Sequence, residues 1–238
     1  MSAIDAIKRK LHREIVADPV LHGLVLNLYL NGEEYPHRVD DYFPFAAGDE
    51  CGLGDTMRAH LADEDKHVAL YRKAIEKIGQ PVLDLPMGDI FNQVIRTHTD
   101  ASFAMRPEDD RDMRTRKLAH FFAHAHYLEK RVARSLEYHL DACAHAPSPY
   151  PAKAVGAVLH DEGRHVAYTR EAVLDLLPAR EAHEVLALHA SAERRANLDF
   201  SARQMGKLMR EHSQRFSAAG GMLFRSCIAL LRGGLHLA

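Results

Sequence analysis

Asp63-Glu64-Asp65-Lys66-His67 and Asp161-Glu162-Gly163-Arg164-His165 are two copies of one pattern, Asp-Glu-x-(Lys/Arg)-His. In each copy a glutamate precedes a histidine by three residues, which puts a carboxylate and an imidazole on one helical face, within reach of a shared cation. The short form Glu-x-x-His is weak by itself. With 17 histidines in the chain, about one copy arises by chance, and a third does occur at Glu34-Tyr35-Pro36-His37. The longer repeat, and the faces on which it lies, carry the weight.

At helical periodicity Leu53, Met57, Leu61, Val68, Tyr71, Ile75 and Ile78 form one apolar stripe, and Glu64 and His67 fall inside it. Val155, Val158, Val166, Thr169, Val173 and Leu176 form a second, which contains Glu162 and His165. A third stripe, Leu118, Phe122, Ala125, Val132, Leu136, Leu140 and Cys143, has Glu129 at its centre. A lone buried carboxylate there would be expensive or protonated, so it demands a partner. A cation is the most economical one, and a buried arginine is the alternative.

Residues that face each other across an antiparallel helix pair lie equally far from the turn between them. Glu129 and Glu162 have their midpoint between residues 145 and 146, at the edge of the loop Ala146-Pro147-Ser148-Pro149-Tyr150-Pro151. The same test on Glu64, with a turn at Gly48-Asp49, calls for a partner near residue 34. Both Glu33 and Glu34 satisfy the distance. Glu33 points away from the face of Leu24, Leu28 and Tyr35 while Glu34 lies at its margin, so Glu34 is the expected partner. The chain thus repeats one plan, a glutamate followed about one hairpin later by Asp-Glu-x-basic-His.

Helical spacing dominates and no alternating strand pattern occurs, so the expected class is all-α. The breakers predict a short helix over 3–17 closed by Asp18-Pro19. A second begins near Val20 and runs as far as Ala46, strained by Gly32, Pro36 and Pro44. A third spans Asp49 to Ile78 and stops at Gly79 and Pro81. Residues 80–107 suit a long crossover with a short helix near 89–99. Helices from Pro107 to Ala144, Ala152 to Leu177 and Arg180 to Phe216 follow, then an apolar tail over 217–238. The expectation is one domain, a four-helix core over about 20–177 with flanking helices 3–17 and 180–216.

The composition, 47% apolar and 27% charged, is that of a globular chain, and 31 Lys plus Arg against 33 Asp plus Glu leave no global field to draw in nucleic acid. Arg225 and Arg232 interrupt the C-terminal apolar run, which is too short for a membrane span, and charges interrupt the N-terminal one. Cys51, Cys143 and Cys227 form no pair at metal spacing and leave an odd count, so they are expected to be reduced thiols in the cytoplasm rather than a disulfide framework or a zinc site.

Over residues 20–177 the doubled motif and its partner glutamates resemble the ferritin-like di-iron carboxylate family, which includes bacterioferritin, rubrerythrin, ribonucleotide reductase small subunits and di-iron monooxygenases. The resemblance implies two metal ions, iron or with manganese replacing it, held by Glu34, Glu64, His67, Glu129, Glu162 and His165. Glu64 and Glu162 would bridge the ions, with Glu34 and His67 completing one site and Glu129 and His165 the other. It also implies that Asp63 and Asp161 orient ligand histidines from the opposite helix pair, although Lys66 stands where the family often has arginine. His60, one turn before Glu64, is either a third imidazole ligand or a core histidine. His126 sits near Glu129, off the centre of its stripe, and His120 and His124 point away from it toward solvent. Tyr71 is a core tyrosine or a redox-active one.

Such a hard oxygen and nitrogen set suits iron or manganese. It implies an oxidase or oxygenase that activates dioxygen against a small or carrier-bound substrate, tRNA among the carriers, with an electron-donor protein as partner. The alternative is an iron-handling or peroxide-scavenging protein. The 65 residues between Glu64 and Glu129 are closer to the hydroxylases than to the compact bacterioferritins, and no cysteine-rich rubredoxin module is encoded. The flanking helices offer material for a substrate pocket or a homodimer contact.

Overall fold

The computed structural model describes residues 3–235, and every regular element among them is helical. The first helix, α1 (Ala3–Ala17), leads straight into α2 (Pro19–Glu33). Asp18 caps α2, its carboxylate accepting from the backbone N–H groups of Val20 and Leu21 at 2.8 and 3.1 Å, and Pro19 takes the first helical position where no N–H is needed.

The second helix does not reach Ala46. It stops at Glu33, and Tyr35–His37 form a single 3₁₀ turn around Pro36, because that proline has no N–H to continue the ladder. A short helix α3 (Phe45–Glu50) follows, and Gly52, at φ of 73°, turns the chain into α4 (Gly54–Lys77). The start expected at Asp49 therefore belongs to α3. The end of α4 is as expected, with Gly79 in the left-handed region at φ of 69°.

Residues 78–110 cross over to the second hairpin and contain one helix longer than a turn, α5 (Phe91–Thr97). Two asparagines a helical turn apart on α2 hold the extended part of this connection. Asn27 donates to Pro81 O at 3.0 Å and accepts from Leu83 N at 2.7 Å, and Asn31 donates to Leu83 O and accepts from Leu85 N, both at 2.9 Å. These bonds satisfy backbone groups that would otherwise be buried without partners.

The second hairpin pairs α6 (Arg111–Cys143) with α7 (Tyr150–Leu176), followed by α8 (Ala179–Glu211) and α9 (Ala218–Leu235). In the central bundle α2 packs on α4, α4 on α7, and α7 on α6. Leu26, Leu30, Tyr71, Ile75, Leu136, Val155 and Val158 fill one end. Phe43, Met57, Leu118, Phe122, Val173 and Leu177 fill the other. Each such side chain contributes about 1.5–3 kcal/mol on burial, and the polar residues of the motifs lie between the two layers. The fourth side, between α2 and α6, is covered by α1 and α8, and α9 packs on both of these through Phe224, Ile228 and Leu231. The apolar tail expected over 217–238 is thus mostly helix, and its last residues, 236–238, lie outside the described part.

Candidate metal centre

Glu64 and His67 on α4, Glu129 on α6, and Glu162 and His165 on α7 converge in the middle of the bundle, each at most 8% exposed. The fourth carboxylate, contributed by α2, is a correction. Glu33, not Glu34, enters the interior: it is buried, with Oε2 at 3.4 Å from His67 Nδ1. Glu34 turns outward and pairs with Arg72 on the surface of α4. The inward row of α2 is Leu26, Leu30 and Glu33, one helical turn apart each time, whereas Leu24 and Leu28 are only half-buried on neighbouring faces. The face chosen from Leu24, Leu28 and Tyr35 was out of phase because Tyr35 follows the helix end.

Each motif histidine is held from the opposite hairpin. His67 Nε2 donates to Asp161 Oδ2 at 3.2 Å, and His165 Nε2 donates to Asp63 Oδ2 at 3.3 Å. An ionised carboxylate only accepts, so both imidazoles carry their proton on Nε2 and turn the Nδ1 lone pair toward the carboxylates. Lys66 and Arg164 clasp the two aspartates from outside: Lys66 bonds Asp161, and Arg164 reaches Asp63 at 3.1 Å and Asp161 at 2.6 Å. Partial burial would raise Asp161, but Lys66, Arg164 and His67 hold it below the usual carboxylate range. Lys66 of the first motif and Arg164 of the second thus take equivalent outer positions.

His60 joins the centre. Its ring stacks on His165 at 3.7 Å between centroids, and its Nε2 lies 3.0 Å from Glu64 Oε1 and 3.6 Å from Glu129 Oε1. Tyr168, which the sequence reading did not select, contacts His60 Nδ1 at 2.5 Å. When Nδ1–H donates to Tyr168, the Nε2 lone pair faces the carboxylates. Two groups result, Glu33 with His67 and Glu162, and His60 with Glu64 and His165, each offering three ligand atoms within 4.8 Å of one another. Glu64 lies against Glu33, and Glu162 against Glu129 and His165, so both glutamates touch the two groups.

Four carboxylates packed this closely cannot all be ionised without a cation. Burial first, then the neighbouring carboxylates, push Glu64 and Glu162 well above the usual range and Glu129 up to about 8. Burial, with His165 and His67 beside it, pushes His60 down. Burial pulls His67 down as well, but Glu33 and Asp161 outweigh it and the net direction is up. Glu64 Oε1, both Glu162 oxygens and His165 Nδ1 are buried and find no hydrogen-bond partner among the described residues. Polar atoms of this kind normally find a partner, and here they point at a common centre. Such oxygen and nitrogen donors could hold metal ions, whose charge the glutamates can offset.

The centre has a closed face and an open one. The Asp63, Lys66, Asp161 and Arg164 network closes the α4–α7 side. On the α2–α6 side a cavity of about 180 Å³ reaches Glu33, His60, Glu64 and Glu129 and is lined mainly by apolar side chains, including Leu28, Phe43, Phe121 and Val132. It follows α6 from Phe121 to Tyr138, roughly 25 Å at the helical rise.

Three other expectations can be placed. His126 donates from Nδ1 to Val166 O at 3.0 Å, which ties α6 to α7 and leaves it no part in the centre. His120 and His124 are half-buried rather than solvated. His120 stacks on Phe103 at 3.7 Å and bonds His189 of α8 at 3.1 Å, because α8 covers a face that looked exposed. Tyr71 is fully buried beside the carboxylates, and its hydroxyl has no partner among the described residues. No protein-family model matches the chain, and neither a curated protein nor a solved structure matches it.

Proposed function

We propose that this chain is a ferritin-like di-iron carboxylate protein that activates dioxygen to oxidise an elongated, mainly apolar substrate. The observation that carries the reading is the apolar cavity that opens on one side of a buried, charge-balanced Glu/His set. An iron store needs a path for a hydrated ion, whereas this cavity suits a molecule that sheds water on entry.

Glu33, His67 and Glu162 would hold one ion and His60, Glu64 and His165 the other, with Glu129 beside the second. When bound, a reduced metal pair supplies the electrons for dioxygen reduction that no protein side chain can supply. The residues of the chain do the rest. Asp63 and Asp161 keep the two motif histidines in the Nε2–H tautomer, so that both Nδ1 atoms stay available. Glu64, Glu129 and Glu162, held largely protonated in the absence of metal, would release those protons on loading. Glu129 stands at the cavity wall beside the ligands, where its carboxyl can hold a proton. Phe43, Phe121 and Val132 exclude bulk water from that end.

The test is aerobic loading of metal-free protein with ferrous iron, with medium-chain fatty acids as apolar probes. The reading predicts saturation at about two irons per chain and dioxygen uptake that yields an oxidised probe. Uptake of many irons per chain, with no probe oxidised, supports iron handling and contradicts it.

A further inference from the structure

A second cluster of metal-binding side chains lies at the other end of the α2–α6 side, where α1 and α2 pack on the last turns of α6. His22 Nε2 and His139 Nε2 are 2.9 Å apart, and Cys143 Sγ lies with them inside a 4.8 Å circle. All three residues are buried. His139 and Cys143 stand four residues apart, one helical turn on the same face. His12 of α1 adds a third imidazole, its ring 5.5 Å from that of His139 between centroids.

Hydrogen bonding within the protein does not account for this arrangement. A bond between His22 and His139 uses one proton and does not engage the Cys143 thiol, and buried His12 Nδ1 has no hydrogen-bond partner among the described residues. Tyr29 sits 3.4 Å from His139 Nδ1, where it can accept that proton and leave the Nε2 lone pair directed at His22, the usual arrangement behind a ligating histidine.

We propose that His22, His139 and Cys143, with His12 adjacent, form a second metal site that binds one thiophilic ion, Zn(II) or Cu(I). The donors are softer than the all-glutamate and histidine set of the central site, so the two sites select different ions. Burial lowers His12 to about 3 and His22 to about 4 and drives His139 well down, so protons do not compete for the lone pairs at neutral pH. Burial also raises the Cys143 thiol to about 12, and binding must therefore displace its proton to solvent as the metal–sulfur bond forms. A single thiolate neutralises Cu(I) but leaves a positive charge on Zn(II), which favours Cu(I) in so dry a setting. The site stands independently of the function proposed for the central one.

The experiment uses the full chain and two metal probes. Co(II), as a spectroscopic substitute for Zn(II), is added to metal-free protein and, separately, supplied during growth; Cu(I) is titrated anaerobically against a chromophoric chelator. The expected result is a thiolate-to-metal charge-transfer band with at least one probe. Cys143→Ser should abolish that band while ions remain bound to the carboxylates, and His22→Gln should weaken binding at least tenfold with the helical circular dichroism retained. The absence of a thiolate band with both probes overturns the proposal. So does a band that survives Cys143→Ser, since Cys51 or Cys227 would then be its source.

Discussion

His165 on α7 donates from Nε2 to Asp63 on α4 across 3.3 Å, so the imidazole and the acid that orients it belong to different hairpins. The mirror pair, His67 and Asp161, closes at 3.2 Å. The two hairpins therefore order each other's candidate ligands, and neither can present its histidine correctly alone.

Asp63→Asn tests this coupling. The amide keeps the size but offers either an N–H or a neutral oxygen, so the tautomer of His165 is no longer enforced. Metal affinity should fall by about 10–100-fold, read by chelator competition, with Asp161→Asn acting likewise through His67. A drop in melting temperature with unchanged affinity would show that the aspartates only brace the helices.

Glu33→Ala and Glu34→Ala should separate cleanly. The first removes an inward carboxylate and is expected to reduce bound metal from two ions per chain toward one. The second breaks an exposed pair with Arg72, a change within about 0.5 kcal/mol, and should leave the metal content unchanged. Elemental analysis of the two purified variants decides.

The contrast between these neighbours also marks what the sequence could and could not disclose. Distance from the turn narrowed the choice to Glu33 and Glu34, because an antiparallel pair imposes that geometry on any residue. The phase around the helix was not legible, since Tyr35 was counted on a stripe that ends before it. His67, Glu129, Glu162 and His165 were legible because their stripes run unbroken for several turns on both sides. The pairing of His22 with His139 spans 117 positions, and no periodicity reports how α1, α2 and α6 close on each other. His120 and His124 misled for the same reason, as α8 covers their face.

Stability of the metal-free protein should depend on pH through Glu129. Burial and Glu33 push it in the folded state up to about 8, from an ordinary value of 4.5, so between these limits the folded state binds the extra proton and stability declines as pH rises. Between pH 7 and 8.5 Glu64, Glu162 and His67, also raised in the folded state, act in the same direction. Thermal melts of the metal-free protein should fall across that window, and Glu129→Gln should flatten the slope. A slope that is unchanged or rises contradicts the assignment.

Tyr71→Phe removes a buried hydroxyl that has no partner among the described residues. The metal-free protein should lose nothing and can gain up to about 1 kcal/mol, because an unsatisfied polar atom is deleted without leaving a cavity. Denaturant unfolding measures this directly; a loss above about 2 kcal/mol would mean that the hydroxyl is bonded in solution.

The central claim is that the buried glutamates and histidines exist to hold two metal ions. Its most direct test is the iron and manganese content of purified wild-type, Glu162→Ala and Cys143→Ser proteins, grown with both metals. The account predicts about two ions per chain in the wild type, nearly complete loss in Glu162→Ala and no loss in Cys143→Ser. Substoichiometric metal in the wild type, or metal that survives Glu162→Ala, would contradict it.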